Sequence, residues 1–363
     1  MDSNSPPVNE NIRPLILSSL LAVFAILTAM DLAYLTHIVG YLMLMIALGI
    51  LAVINMTCNK VVFALNVLAF LTILFFTGNQ TIEIALLGVV AVLSALMLSV
   101  AVGKKSAKTS AVLVVGITFS LGCAIVFALL HVANGNSLAP EALFENLNGI
   151  FDSLKALMAD IIRDSVNAFT DEMLANYAKF NVTKEMLLES ALVAMEGLLD
   201  LIQLLLPGIC VFLVQTLAYV AVSAFEKMAR FVRCDIILPD VRWRLFPTQI
   251  SCIVYIVVTT AYFLAGLFSA ASAFSILMMN FWIALMPVMI ACGFSGIMLR
   301  LKHPRLRKSM IFILVLFAAG CVFMTGYAIP FGIFMLTFMG AQDVSLARTA
   351  ESLERRNKDL DGK

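Results

Sequence analysis

The chain has 363 residues, is 62% hydrophobic and 13% charged, and carries a formal net charge of +1, with a mean hydropathy of +1.00. A soluble domain fills its core with far fewer apolar residues, and so balanced a charge gives no electrostatic footprint for nucleic acid. These values exclude a soluble globular domain. What they leave is an all-α, polytopic transmembrane helix bundle, because apolar runs of about 20 residues recur with no polar face.

In chain order, residues 1–13 form a short N-terminal tail ending in Arg13. The first apolar run, 14–34, lacks a small-residue cleavage site and outlasts a signal region, so it reads as a span. It carries Ala25, Ala29 and Ala33 at helical spacing, a small-residue stripe that lets a helix approach closely, from within the fold or from another subunit. Spans at 37–54, 61–77, 82–102 and 111–132 complete a five-span N-terminal half over residues 14–132. A second stripe, Ala91, Ala95, Ser99 and Gly103, lies in the fourth.

Residues 133–197 differ: they hold ten acidic and four basic residues. Pro140 suits an early helical position, and Leu143, Leu147, Ile150, Leu154, Leu157 and Ile161 step by four and three along one face. Thr170 and Thr183 suit the caps of two further short helices. This is an extracytoplasmic amphipathic helical insert, either a protective cap packed on the membrane or spans, or a lid over a substrate site.

The C-terminal half, 198–346, has spans at 198–225, 248–270 and 274–299, and a last apolar stretch at 310–340. That stretch is too long for one ordinary span. Closed into a hairpin by the glycine and proline of TGYAIPFG, it gives ten membrane segments; as one kinked, tilted span it gives nine. Residues 347–363 are a charged tail.

The connectors set the orientation. GKKSAKTS (103–110) carries three lysines and no acid, LRLKHPRLRK (299–308) five basic residues and no acid, and residues 226–247 five basic residues against three acids. Positive loops stay inside, so these face the cytoplasm, the acidic insert lies outside, and the N-terminus is cytoplasmic. Within MARFVRCDIILPDVRWRLFP (228–247), Arg230, Arg233, Arg242, Trp243 and Arg244 suit the headgroup layer and are candidate contacts for a cytoplasmic partner or anionic lipid.

Nothing in the chain has the pattern of an enzyme: there is no HExxH, Walker loop, nucleophile elbow or carboxylate pair at catalytic spacing, and His37, His131 and His303 are scattered. The seven cysteines have neither CxxC nor metal-ligand spacing, and no cofactor is expected. Polar groups at membrane depth are costly and mark function by default, although interhelical hydrogen bonding is the commoner use of uncharged ones. Asn66, Gln215 and Asn280 lie within spans; Asp31, His37, Gln80, Glu83, His131, Glu196, Asp200 and Gln203 lie near their outer ends. From these, Asp31, His37, Asn66, Gln80, Glu83, His131, Gln203, Gln215 and Asn280 are the candidate ligand pocket.

The order LLLPG (204–208), the basic helix end MARFVR, a proline-containing linker and WRLFP, with the closing FMLTFMGAQDVSLAR (334–348), resembles the YybS-like family of bacterial predicted membrane proteins, a domain of unknown function. The N-terminal third departs from it: NMTCNK (55–60) stands where the family usually has a proline-rich turn. In layout that family is similar to the substrate-binding membrane subunits of energy-coupling-factor vitamin transporters. The resemblance implies a bacterial cell-membrane, solute-binding or transport subunit that draws energy from partner subunits. It also implies a partner contact at Ala25, Ala29 and Ala33 and a ligand near the outer polar set. The alternative is a non-transporting membrane scaffold or regulator that docks cytoplasmic partners through the basic inner loops.

Overall fold

The computed structural model describes residues 12–34, 38–79, 81–104, 106, 108–169, 183–232, 249–268, 273–302, 304–323 and 335–337. Among these residues every regular element is a helix: α1 (Arg13–Tyr34), α2 (Ile38–Thr57), α3 (Lys60–Thr77), α4 (Ile82–Gly103), α5 (Lys108–Ala133), α6 (Pro140–Asn167), α7 (Lys184–Phe231), α8 (Gln249–Phe268), α9 (Ala273–Lys302) and α10 (Pro304–Phe323). Residues 335–337 add a single helical turn. Seven of them, α1 to α5, α7 and α9, are long and apolar enough to cross a membrane, and α8 contributes a shorter apolar stretch, Ile253–Tyr262. The chain is a membrane-embedded helical bundle. The turn TGYAIPFG, on which the nine or ten segments of the sequence reading depend, lies outside the described residues.

A polar side chain can satisfy the free N–H groups of a first helical turn, as α3 and α7 show. Asn59 caps α3, its Oδ1 accepting from the Val62 amide at 2.8 Å. Inside the spans, hydroxyls fold back on their own helices, as with Thr28 to the Phe24 carbonyl (2.7 Å), Ser94 to Val90 (2.9 Å) and Thr216 to Phe212 (2.8 Å). A hydroxyl that bonds the carbonyl four residues back leaves no polar group facing lipid.

Helix α2 is the centre of the bundle. It packs against α1, α3, α4 and α7, and Leu44, Met45, Ala47, Leu48 and all residues from Ile50 to Ile54 are buried. The α2–α7 crossing is tight enough to forbid a side chain at Gly49: a Cβ there would sit 2.7 Å from both the Ala221 carbonyl oxygen and the Phe225 nitrogen. Ala218 and Ala221 line the same stretch of α7, fully buried, so the two backbones meet over small residues.

Helix α7 runs unbroken for 48 residues, about 72 Å at ~1.5 Å per residue, against a hydrocarbon layer of about 30 Å. It therefore passes through residue 197, where hydropathy places the boundary between insert and span. Residues 184–206 contain no proline and a single glycine, so nothing stops the helix. Thr183 does cap it, accepting from the Met186 amide at 3.3 Å, yet the helix it starts is the longest one described rather than a short one. Helix α6 packs back along the projecting half of α7, forming a helical hairpin beyond the bundle.

The Gly49 contact separates packing from helix propensity. Gly49→Ala should lower thermal stability in detergent by about 1–3 kcal/mol through overpacking. Gly149→Ala, at an α6 position with open space around it, should be neutral or stabilise by about 0.5–1 kcal/mol. Equal effects from the two changes would contradict the close crossing.

Candidate functional site

Three polar constellations tie the long helix to its neighbours, and they are the residues with the clearest functional geometry. At one end of the bundle, Lys108 in the first turn of α5 reaches Glu226 on α7, Nζ to Oε2 at 2.6 Å. The other carboxylate oxygen of Glu226 takes Arg230 at 2.7 Å, one turn on. Lys108 also sits over the Tyr219 ring, 5.6 Å from its centroid. Its side chain is only 10% exposed and that of Glu226 19%, so this is a largely buried pair, and removing one partner strands the other charge.

Part-way along α7 lies Pro207, inside the helix. A proline has no N–H to offer the carbonyl one turn back, so the helix is weakened there. Asn280 of α9 faces this point. Its Oδ1 accepts from the Gly208 amide at 2.8 Å, and its Nδ2 donates to the Leu204 carbonyl at 3.0 Å and to the Ile276 carbonyl of its own helix at 3.1 Å. Leu204 and Gly208 are the pair that a regular α-helix bonds to each other. A Cβ on Gly208 would meet the Asn280 backbone oxygen at 2.7 Å, so glycine is what admits α9.

The third constellation fastens α6 to α7. Lys155 Nζ donates to Asp200 Oδ1 at 2.6 Å, Gln203 Nε2 to Asn148 Oδ1 at 2.7 Å, and Lys184 Nζ to the Asn167 carbonyl at 3.4 Å. The Asp200 hydrogen bond raises the Lys155 pKa; slight desolvation opposes it, and the Asp152 and Glu196 charges add to it. Glu185, in the first turn of α7, is held below the usual carboxylate range by its own backbone N–H, then by the Thr183 hydroxyl. The side of α6 that carries Phe151 and Val166 is buried, while Ile150, Leu154, Leu157 and Ile161 are exposed. The apolar stripe read from the sequence is therefore only partly covered by the chain's described residues.

No family model, curated protein or solved structure matches the chain.

The residues proposed as one pocket are distributed over separate contacts. Asp31 is buried and accepts from the Gly40 amide at 2.6 Å, capping α2 across the α1–α2 turn. Asn66 donates to the Val62 carbonyl of its own helix at 2.9 Å. Glu83 is exposed in the first turn of α4, and His131 stacks on Phe127 with centroids 5.3 Å apart. Gln203 and Asn280 serve α7, as described. His131 Nε2 and Gln215 Oε1 are buried atoms without a hydrogen-bond partner among the described residues. Ala25 and Ala29 are fully buried in the core and Ala33 packs against it. Arg230 is largely exposed beyond its bond to Glu226. His37, Gln80, Arg233, Arg242, Trp243 and Arg244 lie outside the described residues.

Two features escape a reading of the sequence. One is the Lys108–Glu226 pair. The other is a small second core in which the buried Tyr255 hydroxyl bonds Thr337 and receives the Trp282 indole N–H at 3.4 Å, with Tyr262 stacked on Trp282.

Glu226→Leu should destabilise the protein by about 3 kcal/mol, because it leaves Lys108 buried and unpaired, and adding Lys108→Met should recover most of the loss. Thermal unfolding of the single and double variants measures this; no recovery in the double variant would show that the pair is not what holds α5 to α7. A raised lysine pKa stabilises fully below the unfolded value and loses its contribution as pH rises through the folded one. Protection of the α6–α7 hairpin from proteolysis should therefore hold at neutral pH and fall as pH rises past the ordinary lysine range. Lys155→Met should flatten that dependence.

Proposed function

We propose that the protein is a non-transporting membrane scaffold, which holds a rigid acidic helical hairpin beyond one face of the bilayer and a basic rim on the other. The observation that carries this reading is α7 itself: a single helix more than twice the thickness of the hydrocarbon layer, tied to α5 at one end and to α6 at the other. Its polar contacts join helix to helix, which is what a rigid support needs and what interhelical amides do best.

The proposed orientation places the basic rim in the cytoplasm of a bacterial cell and the N-terminus with it. The Lys108–Glu226 bond sets the α4–α5 connector beside the end of α7, so Lys104, Lys108, Lys227 and Arg230 share one end of the bundle. The Ser99 hydroxyl contacts the Ala52 carbonyl at 3.3 Å, which draws the α2–α3 connector with Lys60 to the same end. Lysine and arginine concentrated on one face favour that face as cytoplasmic. In this reading α8 and α10 cross as well, and the YybS-like resemblance stands as the proposed kinship.

A second reading, a solute-binding subunit relying on partner subunits for energy, rests on Gln215 Oε1. It is a buried acceptor without a described partner, close to the α5 contact at Gly116, whose neighbours are Val214 and Ala218. Buried polar atoms are normally satisfied, and a ligand is one way to satisfy this one.

Two measurements test these readings. A cysteine at Ser153 in an otherwise cysteine-free protein should react with an impermeant maleimide in intact cells, and one at Lys227 only after permeabilisation; the reverse pattern would overturn the orientation. Photo-crosslinking from Lys227 in cells should capture a protein partner in lower yield after Arg230→Gln. An unaltered yield, together with a defined small molecule that co-purifies and raises the melting temperature, would replace the scaffold with the solute-binding subunit.

A further inference from the structure

The proline junction of α7 divides the helix into two halves with very different support. On the side of Glu226, α7 is fixed by the Lys108 pair, by the backbone contact at Gly49, and by Gly116 of α5 against Val214 and Ala218. On the side of Lys184 the side-chain hydrogen bonds run to α6, while Leu198, Leu201 and Leu204 are exposed. Between the halves, Pro207 withholds an N–H from the Gln203 carbonyl, so one rung of the ladder is missing. The next rung joins Leu204 to Gly208, and both of its members are held by the amide of Asn280.

We infer that Asn280 is the clasp of a hinge in α7, a positioning residue that fixes the angle at which the α6–α7 hairpin stands on the bundle. A side-chain amide suits the task because it carries a donor and an acceptor in one plane, and can meet both members of a backbone pair without a charge. Its third contact, to the Ile276 carbonyl, fixes the amide on α9 and so references the hairpin to α9 rather than to lipid. Gly208 completes the device, since any larger residue would separate the clasp from the pair it spans. Kinks at prolines depend on what holds the backbone around the missing rung, and here one residue of a neighbouring helix holds the rung next to it. When that residue lets go, the inner half of α7 stays anchored and the hairpin turns as a unit, because its own ties run between α6 and α7.

The test uses the full-length protein in lipid nanodiscs and two readouts. Hydrogen exchange followed by mass spectrometry reports the clasp, and pulsed electron paramagnetic resonance between ketone-reactive spin labels at Ser153 and Leu113 reports the hairpin angle. Asn280→Leu should speed exchange across residues 204–208 by about tenfold, the size expected for a backbone pair that loses one hydrogen-bonded partner. Exchange at 218–225 should stay unchanged. The label distance should broaden from one narrow peak. Gly208→Ala reaches the same point from the other helix and should act in the same direction, so the inference does not hang on one variant folding. Faster exchange along all of α7, or a distance that stays narrow in both variants, would overturn it: the first means general loosening, the second a local bond without a hinge.

Discussion

Within a bilayer a backbone N–H or C=O has no water to turn to, so any group the helix leaves unpaired must find a partner in the protein. Polar side chains within the spans face the same demand, and several meet it locally. Thr28, Ser94 and Thr216 bond carbonyls of their own helices, and Asn66 does the same with its amide. Helix α7 differs at Pro207, which removes a donor from its interior. Beside that gap the amide of Asn280 on α9 holds the Leu204 carbonyl and the Gly208 amide, and a side chain as short as asparagine reaches two backbone groups only if the helices nearly touch.

The same logic of close approach organises the centre. Gly49 lets α2 lie directly on α7, and Ala25 and Ala29 are buried in the same core. Without a hydrophobic drive between helices in lipid, contact over small residues supplies dispersion that bulky side chains would prevent. The bundle is thus held by short-range packing in its middle and by charged or amide ties toward its ends.

Much of the fold was legible in the sequence. Apolar runs at 14–34, 61–77 and 82–102 match α1, α3 and α4 to within a residue or two, helped by charge or a cap residue at several limits, as Arg13 opens α1 and Asn59 caps α3. The start of α7 was hidden for a physical reason: hydropathy shows where lipid begins, whereas a helix ends only where something breaks it, and residues 184–206 offer no break. Site residues were legible singly and not in pairs. Asn280 stood out as polar at depth and LLLPG as a motif, but they lie 72 positions apart, and Lys108 and Glu226 lie 118 apart. No spacing rule links them; only the packing of α7 against α9 and α5 does.

Lys108 also weighs differently in the sequence and in the fold. Along the sequence, each lysine of GKKSAKTS counts equally as a connector charge. In the fold, Lys108 lies largely out of solvent, against Glu226 and over the Tyr219 ring. A residue that reads as a connector charge is thus an internal fastener, so charges counted on a connector overstate the charge that the folded protein presents to its surroundings.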